Sequence, residues 1–270
     1  MRRPWGGFPA GRPLTMAILN VTPDSFSDGG VHDDPIRAGF EMIEAGADLI
    51  DIGGESTRPG AAAVPVDEEI ARLRPVVQAL ARAGAALSVD TRNAETMRVC
   101  LGEGARIVND VSALTHDPAS LGVVAQAGCP VVLMHTRGGP EDMVQRAVYD
   151  DVVVEVRAEL AARIAAAEVG GVRREAICVD PGIGFAKKLQ HEIALLRHLP
   201  ELAAPDLPML VGVSRKRFVG ELSGEKMASR RVGGSIAASL WALQHGADIL
   251  RVHDVAETVQ AIRVWRGLAG

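Results

Sequence analysis

Asp48-Leu-Ile-Asp-Ile-Gly-Gly-Glu-Ser-Thr-Arg-Pro-Gly60 passes from a short apolar run straight into a polar, glycine-rich segment. The run is continuous rather than alternating, as in a parallel strand covered on both faces. Seven more such runs occur: Met16-Ala-Ile-Leu19, Leu87-Ser-Val89, Arg106-Ile-Val108, Val131-Val-Leu-Met134, Ala176-Ile-Cys-Val179, Met209-Leu-Val-Gly-Val213 and Asp248-Ile-Leu-Arg-Val252. Counted between the residues that close them (Asn20, Asp51, Asp90, Asn109, His135, Asp180, Ser214, Arg251), the intervals are 31, 39, 19, 26, 45, 34 and 37 residues, most of them room for one strand and one helix.

Helical patterns fill the intervals. One takes Asp67 as its N-cap, carries Ile70, Leu73, Val76, Val77 and Leu80 on one face, should bend at Pro75 and stops at Gly84. A second spaces Val152, Val156, Leu160 and Ile164 by four and ends at Gly170-Gly171; a third runs from Ser235 to His245. Eight strands alternating with helices predict an α/β fold, a single-domain (β/α)8 TIM barrel with its active site at the C-terminal ends of the strands. A doubly wound open sheet is the second choice. No linker or repeat divides the chain, so residues 15–270 read as one domain, preceded by a Pro/Gly-rich extension, residues 1–14, to which nothing is assigned.

Composition removes several classes of function. With 29 basic and 34 acidic residues the net charge is -5, without the basic stripe a nucleic-acid binder needs. Five Phe, three Trp and one Tyr leave few platforms for stacking bases. Cys100, Cys129 and Cys178 are odd in number and form no C-x-x-C pair, so neither a disulfide framework nor a zinc site is expected; they read as reduced, buried thiols of a cytoplasmic protein. The start, Met1-Arg-Arg-Pro-Trp, does not lead into the apolar run of a signal peptide, and no stretch is long enough to span a membrane.

Polar residues collect where the runs end: Asn20, Asp51, Asp90, Asn109-Asp110, His135, Asp180, Ser214-Arg-Lys216 and Arg251-Val-His253. Any one Asp or Asn reads equally well as a helix cap, but their convergence on one end of a barrel marks the reactive face. Asn20-Val-Thr-Pro-Asp-Ser-Phe-Ser-Asp-Gly-Gly30 reads as a loop carrying an exposed Phe26, a candidate lid. Asp180 in Asp180-Pro-Gly-Ile-Gly-Phe-Ala-Lys187 suits two parallel N–H donors, such as the edge of an aminopyrimidinone, although a salt bridge across the barrel mouth explains it too. Arg251 and His253 share a strand face and suit an anion. No G-x-S-x-G, H-E-x-x-H, G-x-x-x-x-G-K-[ST] or complete G-x-G-x-x-G is present.

Read together, Ile18-Leu-Asn-Val-Thr-Pro-Asp-Ser-Phe-Ser-Asp-Gly-Gly30, Asp51-Ile-Gly-Gly-Glu-Ser-Thr-Arg-Pro-Gly60, Ser88-Val-Asp-Thr91, Val108-Asn-Asp110, Met134-His135, Asp180-Pro-Gly-Ile-Gly-Phe185, Ser214-Arg-Lys216 and Arg251-Val-His-Asp254 closely resemble the dihydropteroate synthase family, in family order from residue 16 to about residue 258. The resemblance implies a TIM-barrel transferase of folate biosynthesis, a target of sulfonamides, which joins 6-hydroxymethyl-7,8-dihydropterin diphosphate to 4-aminobenzoate and releases diphosphate. It implies that Asp180, Asp90, Asn109 and Lys216 contact the pterin, that Val111, Met134 and Phe185 line its slot, and that Arg251 stacks on it. Asn20, Arg58, Arg251 and His253 would hold the diphosphate, and Asn20 a Mg2+ ion. Phe26, Thr57, Pro59, Phe185, Ser214 and Lys216 would surround 4-aminobenzoate, with catalysis carried by Asp90, Lys216, Arg58, Arg251 and His253. A homodimer with a contact near Trp241 is also implied. Met16-Ala17, where the family often has Gly, departs from the pattern without touching a matched position. A folate-dependent methyltransferase barrel and a non-catalytic pterin-binding paralogue are the alternatives; Arg58 and Asn20 argue against the first, and no missing loop residue favours the second.

Overall fold

The computed structural model describes residues 4–22, 34–57 and 60–269. Eight strands, β1 (Leu14–Asn20), β2 (Leu49–Gly53), β3 (Leu87–Asp90), β4 (Ile107–Asp110), β5 (Val131–Met134), β6 (Ile177–Asp180), β7 (Leu210–Val211) and β8 (Ile249–Val252), are all parallel, in the order β6-β5-β4-β3-β2-β1-β8-β7. A single bridge, Val179 to Met209, joins β6 to β7 and turns the sheet into a nearly closed barrel. The helices are α1 (Pro35–Glu44), α2 (Val66–Arg82), α3 (Ala94–Gly102), α4 (Ser120–Ala127), α5 (Val152–Val169), α6 (Leu189–Arg197), α7 (Leu199–Leu202), α8 (Arg217–Ser223), α9 (Val232–Gln244) and α10 (Val255–Ala269). Each predicted strand is present, and the open sheet is set aside.

The pleat sorts the side chains into two cores. Outward residues such as Ile50, Ile52, Val89, Val108, Val131, Leu133, Val179 and Leu250 pack against the helices. Inward residues Leu14, Met16, Leu49, Ile107, Val132, Cys178, Leu210 and Ile249 fill the floor of the barrel. Strands β4 and β5 give four Val and Ile residues to those two sets, Ile107, Val108, Val131 and Val132, because β-branched side chains pack well on a pleated surface. All three cysteines are buried free thiols, as expected, and burial pushes Cys100 up to about 12 and Cys129 up to about 11.

Residues 4–14, to which nothing was assigned, have a place in the fold: Trp5 is buried at 3% exposure within the floor cluster, its indole Nε1 donates to Ala176 O at 2.8 Å, and β1 already begins at Leu14. An aromatic ring plugs the wide end of an interior otherwise filled by aliphatic side chains. Two expectations need correction. Asp67 does not cap α2, which starts one residue earlier at Val66 behind Pro65; Asp67, Glu68 and Glu69 instead put acidic groups in the first turn, where the helix dipole favours them. Strand β7 keeps only two residues of the Met209–Val213 run, because β8 pairs with only Leu210 and Val211.

Trp5→Phe keeps the plug but leaves the Ala176 carbonyl without its donor, so we expect a loss of about 1–3 kcal/mol. Thermal denaturation checks this, and the polar rim at the opposite end of the barrel should keep its ligand affinity. Among the described residues, no helix is long and apolar enough to cross a membrane.

Candidate active site

Two residues beyond the floor, the inward position on each strand changes character. Leu49 is followed by Asp51, Ser88 by Asp90, Ile107 by Asn109, Val132 by Met134, Cys178 by Asp180 and Ile249 by Arg251, then His253. Strand pairing aligns Asn20, Gly53, Asp90 and Asn109 in one row and sets Met134 beside Asp180. The alternation that builds the apolar floor therefore also delivers the polar rim.

Arg251 stands at the centre. Its Nε donates to Asp51 Oδ2 at 2.6 Å and a terminal nitrogen donates to Asp90 Oδ2 at 2.7 Å. Asp51 Oδ2 also accepts from Asn109 Nδ2 at 2.8 Å, while Asp51 Oδ1 is buried without a hydrogen-bond partner among the described residues. Burial works against the Arg251 charge, but Asp51 and Asp90 outweigh it and raise its pKa. Burial pushes Asp90 up to about 7; Arg251 pulls it down, and the charges of Asp51, Asp110 and Glu69 add to the rise. The result is a planar guanidinium locked in place by two carboxylates.

Across the mouth, Asp180 is 6% exposed and accepts from Gly182 N at 2.7 Å. Burial raises its pKa, against the pull of Lys216, Gly182 N–H, Lys187 and Arg251. Lys216 donates to Ile183 O and lies 4.9 Å from the centroid of the Phe185 ring, a cation–π contact. Burial lowers Lys216 to about 8, opposed by Asp180 and assisted by Arg251. Gly212 follows β7, on the same side as Leu210, and an added Cβ there would lie 3.7 Å from Lys216 Nζ and 3.8 Å from Arg251 Cβ, in van der Waals contact with both. Of the basic run 214–217, only Lys216 turns inward: Arg215 pairs with Asp254 at 2.5 Å and Arg217 with Glu221 at 2.7 Å.

Ser214, expected beside 4-aminobenzoate, places its hydroxyl 3.1 Å from both His253 N and His253 Nδ1, so it acts by orienting the imidazole. The second loop is anchored at its base by Arg92 and Glu55, paired at 3.0 and 3.1 Å, and by Arg72 donating to Gly54 O at 2.8 Å. Thr57 and Val111 are half-buried in the segments that follow β2 and β4, and Asn20 is half-buried at the end of β1. Phe26, Arg58 and Pro59 lie outside the described residues.

Sequence reasoning put Asp51 on the reactive face without giving it a partner, and gave Lys187 no role. Asp51 was visible as a carboxylate inside an apolar run, but its place as the common partner of Asn109 and Arg251 depends on three strands meeting. Lys187 follows the Asp180 motif and is 5% exposed, with its Nζ bonded to His135 and Phe185. As for a metal, no group of three His, Cys, Asp or Glu side chains among the described residues could hold one. Asn20 offers a hard amide oxygen, which fits a Mg2+ ion that arrives with substrate phosphates and keeps waters, the way this ion is usually bound.

Residues 16–253 match the family described as pterin binding enzyme. The dihydropteroate synthase of Escherichia coli K12 is 48% identical over 256 residues, covering 93% of this chain and 90% of that protein. The Xanthomonas albilineans dihydropteroate synthase with 4-aminobenzoic acid superposes with a TM-score of 0.90 at 49% identity, covering 96% of this chain and 94% of the other. The same enzyme in complex with 7,8-dihydropteroate gives a TM-score of 0.87 at 46% identity over the same shares.

Proposed function

The chain belongs to the dihydropteroate synthases of the pterin-binding enzyme family, and from that membership we propose how its own residues carry the reaction. The reaction joins 4-aminobenzoate to 6-hydroxymethyl-7,8-dihydropterin diphosphate, giving 7,8-dihydropteroate and diphosphate. The observation that carries the residue assignment is the charge layout of the mouth: Asp180 beside Lys216 on one side, and Arg251 held between Asp51 and Asp90 on the other.

In this reading Asp180 accepts two N–H bonds from the pterin 2-amino group and ring nitrogen, Lys216 and Asn109 serve the ring's acceptors, and Val111, Met134 and Phe185 cover its faces. Arg251, fixed edge-on by two carboxylates, presents a planar face for stacking while its charge meets the departing diphosphate with Asn20, Arg58 and His253. Breaking the C–O bond leaves a delocalised cation on the dihydropterin, and Asp90, 2.7 Å from Arg251, is the nearest candidate carboxylate to stabilise it. The neutral arylamine of 4-aminobenzoate then forms the C–N bond and gives up a proton to solvent; Phe26, Thr57, Pro59, Phe185, Ser214 and Lys216 surround it. Asn20, together with the substrate's phosphates, would hold Mg2+, which would neutralise charge on the leaving group.

Two further proposals complete the reading. A homodimer is supported by exposed apolar side chains near the end of the barrel, Trp241 at 45%, Val264 at 59% and Leu268 at 85% exposure. A cytoplasmic location is supported by three buried cysteines kept as thiols.

Two groups must hold opposite charges for the chemistry, so kcat/KM should be bell-shaped. Asp90 acts as the carboxylate, so activity falls as pH drops through about 7. Lys216 acts as the ammonium, so activity falls as pH rises through about 8. Lys216→Arg, which stays charged, should flatten the alkaline limb; pH profiles of both proteins check this.

The deciding experiment incubates the purified protein with dihydropterin diphosphate and Mg2+, with and without 4-aminobenzoate, and identifies the organic product by mass. Dihydropteroate formed only with both substrates supports the reading. Pterin binding without product leaves the binding paralogue, and methyl transfer from a folate would point to the other barrel.

A further inference from the structure

The turn that carries Asp180 to Phe185 has two bonds of its own, Gly182 N to Asp180 Oδ1 at 2.7 Å and Phe185 N to Gly182 O at 3.1 Å, and a strained path. Gly182, Gly184 and Ala186 have φ of +66°, +90° and +47°, and for Ala186, which has a Cβ, that conformation costs about 1–3 kcal/mol. An added Cβ on Gly182 would fall 1.9 Å from His135 O, so the turn lies pressed against the end of β5. Bonds from outside the turn add to its own.

Those bonds come from a buried cluster behind the pocket. Lys187 Nζ lies 3.0 Å from His135 Nδ1, 2.9 Å from Phe185 O and 3.3 Å from His135 O, three acceptors for the three protons of an ammonium. Because lysine donates, Nδ1 accepts, which places the ring proton on Nε2 and directs it to Glu159 Oε2 at 2.9 Å. Glu159 is gripped by Arg137, which also bonds Glu155 at 2.7 Å and lies 4.0 Å over the Tyr149 ring. The Tyr149 hydroxyl closes the circuit by donating to Ala186 O at 3.0 Å. The carbonyls of Phe185 and Ala186 are therefore tied from behind, while Ile183 O takes Lys216 from the pocket side.

We propose that Lys187, fixed by His135 and Glu159, is a positioning residue for the dihydropterin pocket: without touching substrate it pins the 182–186 turn, so that Phe185 and the Ile183 carbonyl meet Lys216 and Asp180 stays aimed into the mouth. The inference rests on the dihydropterin reading above. Burial lowers Lys187 to about 7, offset by Asp180, and Lys187 in turn is among the cations that hold Asp180 down against its own burial. Burial and Lys187 likewise drive His135 down to about 3, so its ring is neutral and free to accept. A lysine that merely filled space would need neither three aligned acceptors nor a carboxylate-oriented histidine behind it.

The test uses the full chain with Lys187→Met, His135→Asn and Glu159→Gln. Binding of 6-hydroxymethylpterin, an unreactive analogue, is measured by calorimetry beside KM and kcat for dihydropterin diphosphate, with folding followed by circular dichroism. Lys187→Met is expected to weaken analogue binding and raise KM by roughly tenfold or more, with kcat at saturation within about threefold of the parent. A purely structural loss would reduce the folded fraction, and with it kcat, while leaving KM in place. Folded Lys187→Met with the parent's Kd and KM would overturn the proposal. Should it not fold, Glu159→Gln decides, because that side chain is 40% exposed on α5: a rise in Kd supports the proposal, and an unchanged Kd overturns it. Failure of the parent protein to bind the analogue would sink the dihydropterin reading itself, a result the variants cannot mimic.

Discussion

Asp180→Asn removes measurable pterin binding and lowers kcat/KM by about 10³-fold or more, because a site built to hydrogen-bond its ligand discriminates by large factors when a partner is wrong. The amide is nearly the same size, so the loss is one of chemistry. A carboxylate offers two acceptors to two adjacent N–H groups; an amide offers one acceptor and turns an N–H toward a donor. The substitution also strips the mouth of the charge that offsets Lys216 and Lys187, both of which burial pushes toward the neutral form. The alkaline limb of activity, to the extent that any remains, should therefore move to lower pH, because Lys216 loses its proton more easily without Asp180. Calorimetry with a pterin and steady-state kinetics read the first effect, and the pH profile reads the second. Asp180→Asn that binds pterin like the parent would overturn the pocket assignment.

Arg251→Gln should damage stability and activity together. It leaves Asp51, fully buried, and Asp90 facing each other without their shared cation. Breaking a buried ion pair by removing one partner costs about 3–5 kcal/mol, and a chain of this size loses roughly 2–4 °C of Tm per kcal/mol. The sign with pH follows from the carboxylates. Without Arg251 the folded pKa of Asp90, already raised by burial, rises further, so the penalty is full at high pH and shrinks as pH falls and Asp90 takes up a proton. Activity should fall at least about 10²-fold, since one stabiliser of developing negative charge is gone. The double variant Asp51→Asn/Arg251→Gln separates the effects: melting curves should recover part of the lost Tm, while the rate stays low. Equal melting temperatures for the single and double variants would show that the Asp51–Arg251 contact does not bear on stability.

The strands were legible because their cue is local. Apolar runs such as Val131–Met134 and Ile177–Val179 contain their own evidence, and alternation within them also tells which residues face inward: Cys178 and Asp180 share a side, as do Ile249 and Arg251. What eluded the sequence were relations between distant segments. The floor plug needs Trp5 to reach Ala176, 171 residues away, and a Pro/Gly-rich start gives no sign of it. The Lys187–His135 contact spans 52 residues, and neither residue alone is unusual. Asp67 failed as a cap for a different reason: Pro65 sets the chain direction just before α2, so the helix begins before the side chain that might have capped it. Ser214 was expected beside 4-aminobenzoate by motif, and its hydroxyl lies against His253, a contact fixed by how close β8 lies to the end of β7.

The barrel is joined unevenly, and its thinnest joint falls between the two ends of the pterin pocket. One bridge and the Val179 N–H bonded to Pro208 O at 3.0 Å hold β6 to the β7 side, whereas β1 and β2 share a five-residue register. Asp180 closes β6, and Lys216 follows β7. A ligand gripped by both would act as a clasp across the seam, so occupancy should slow hydrogen exchange at the Val179 amide, whose residue turns its side chain to the outer core. In that sense the substrate would finish a ring that the backbone leaves almost open.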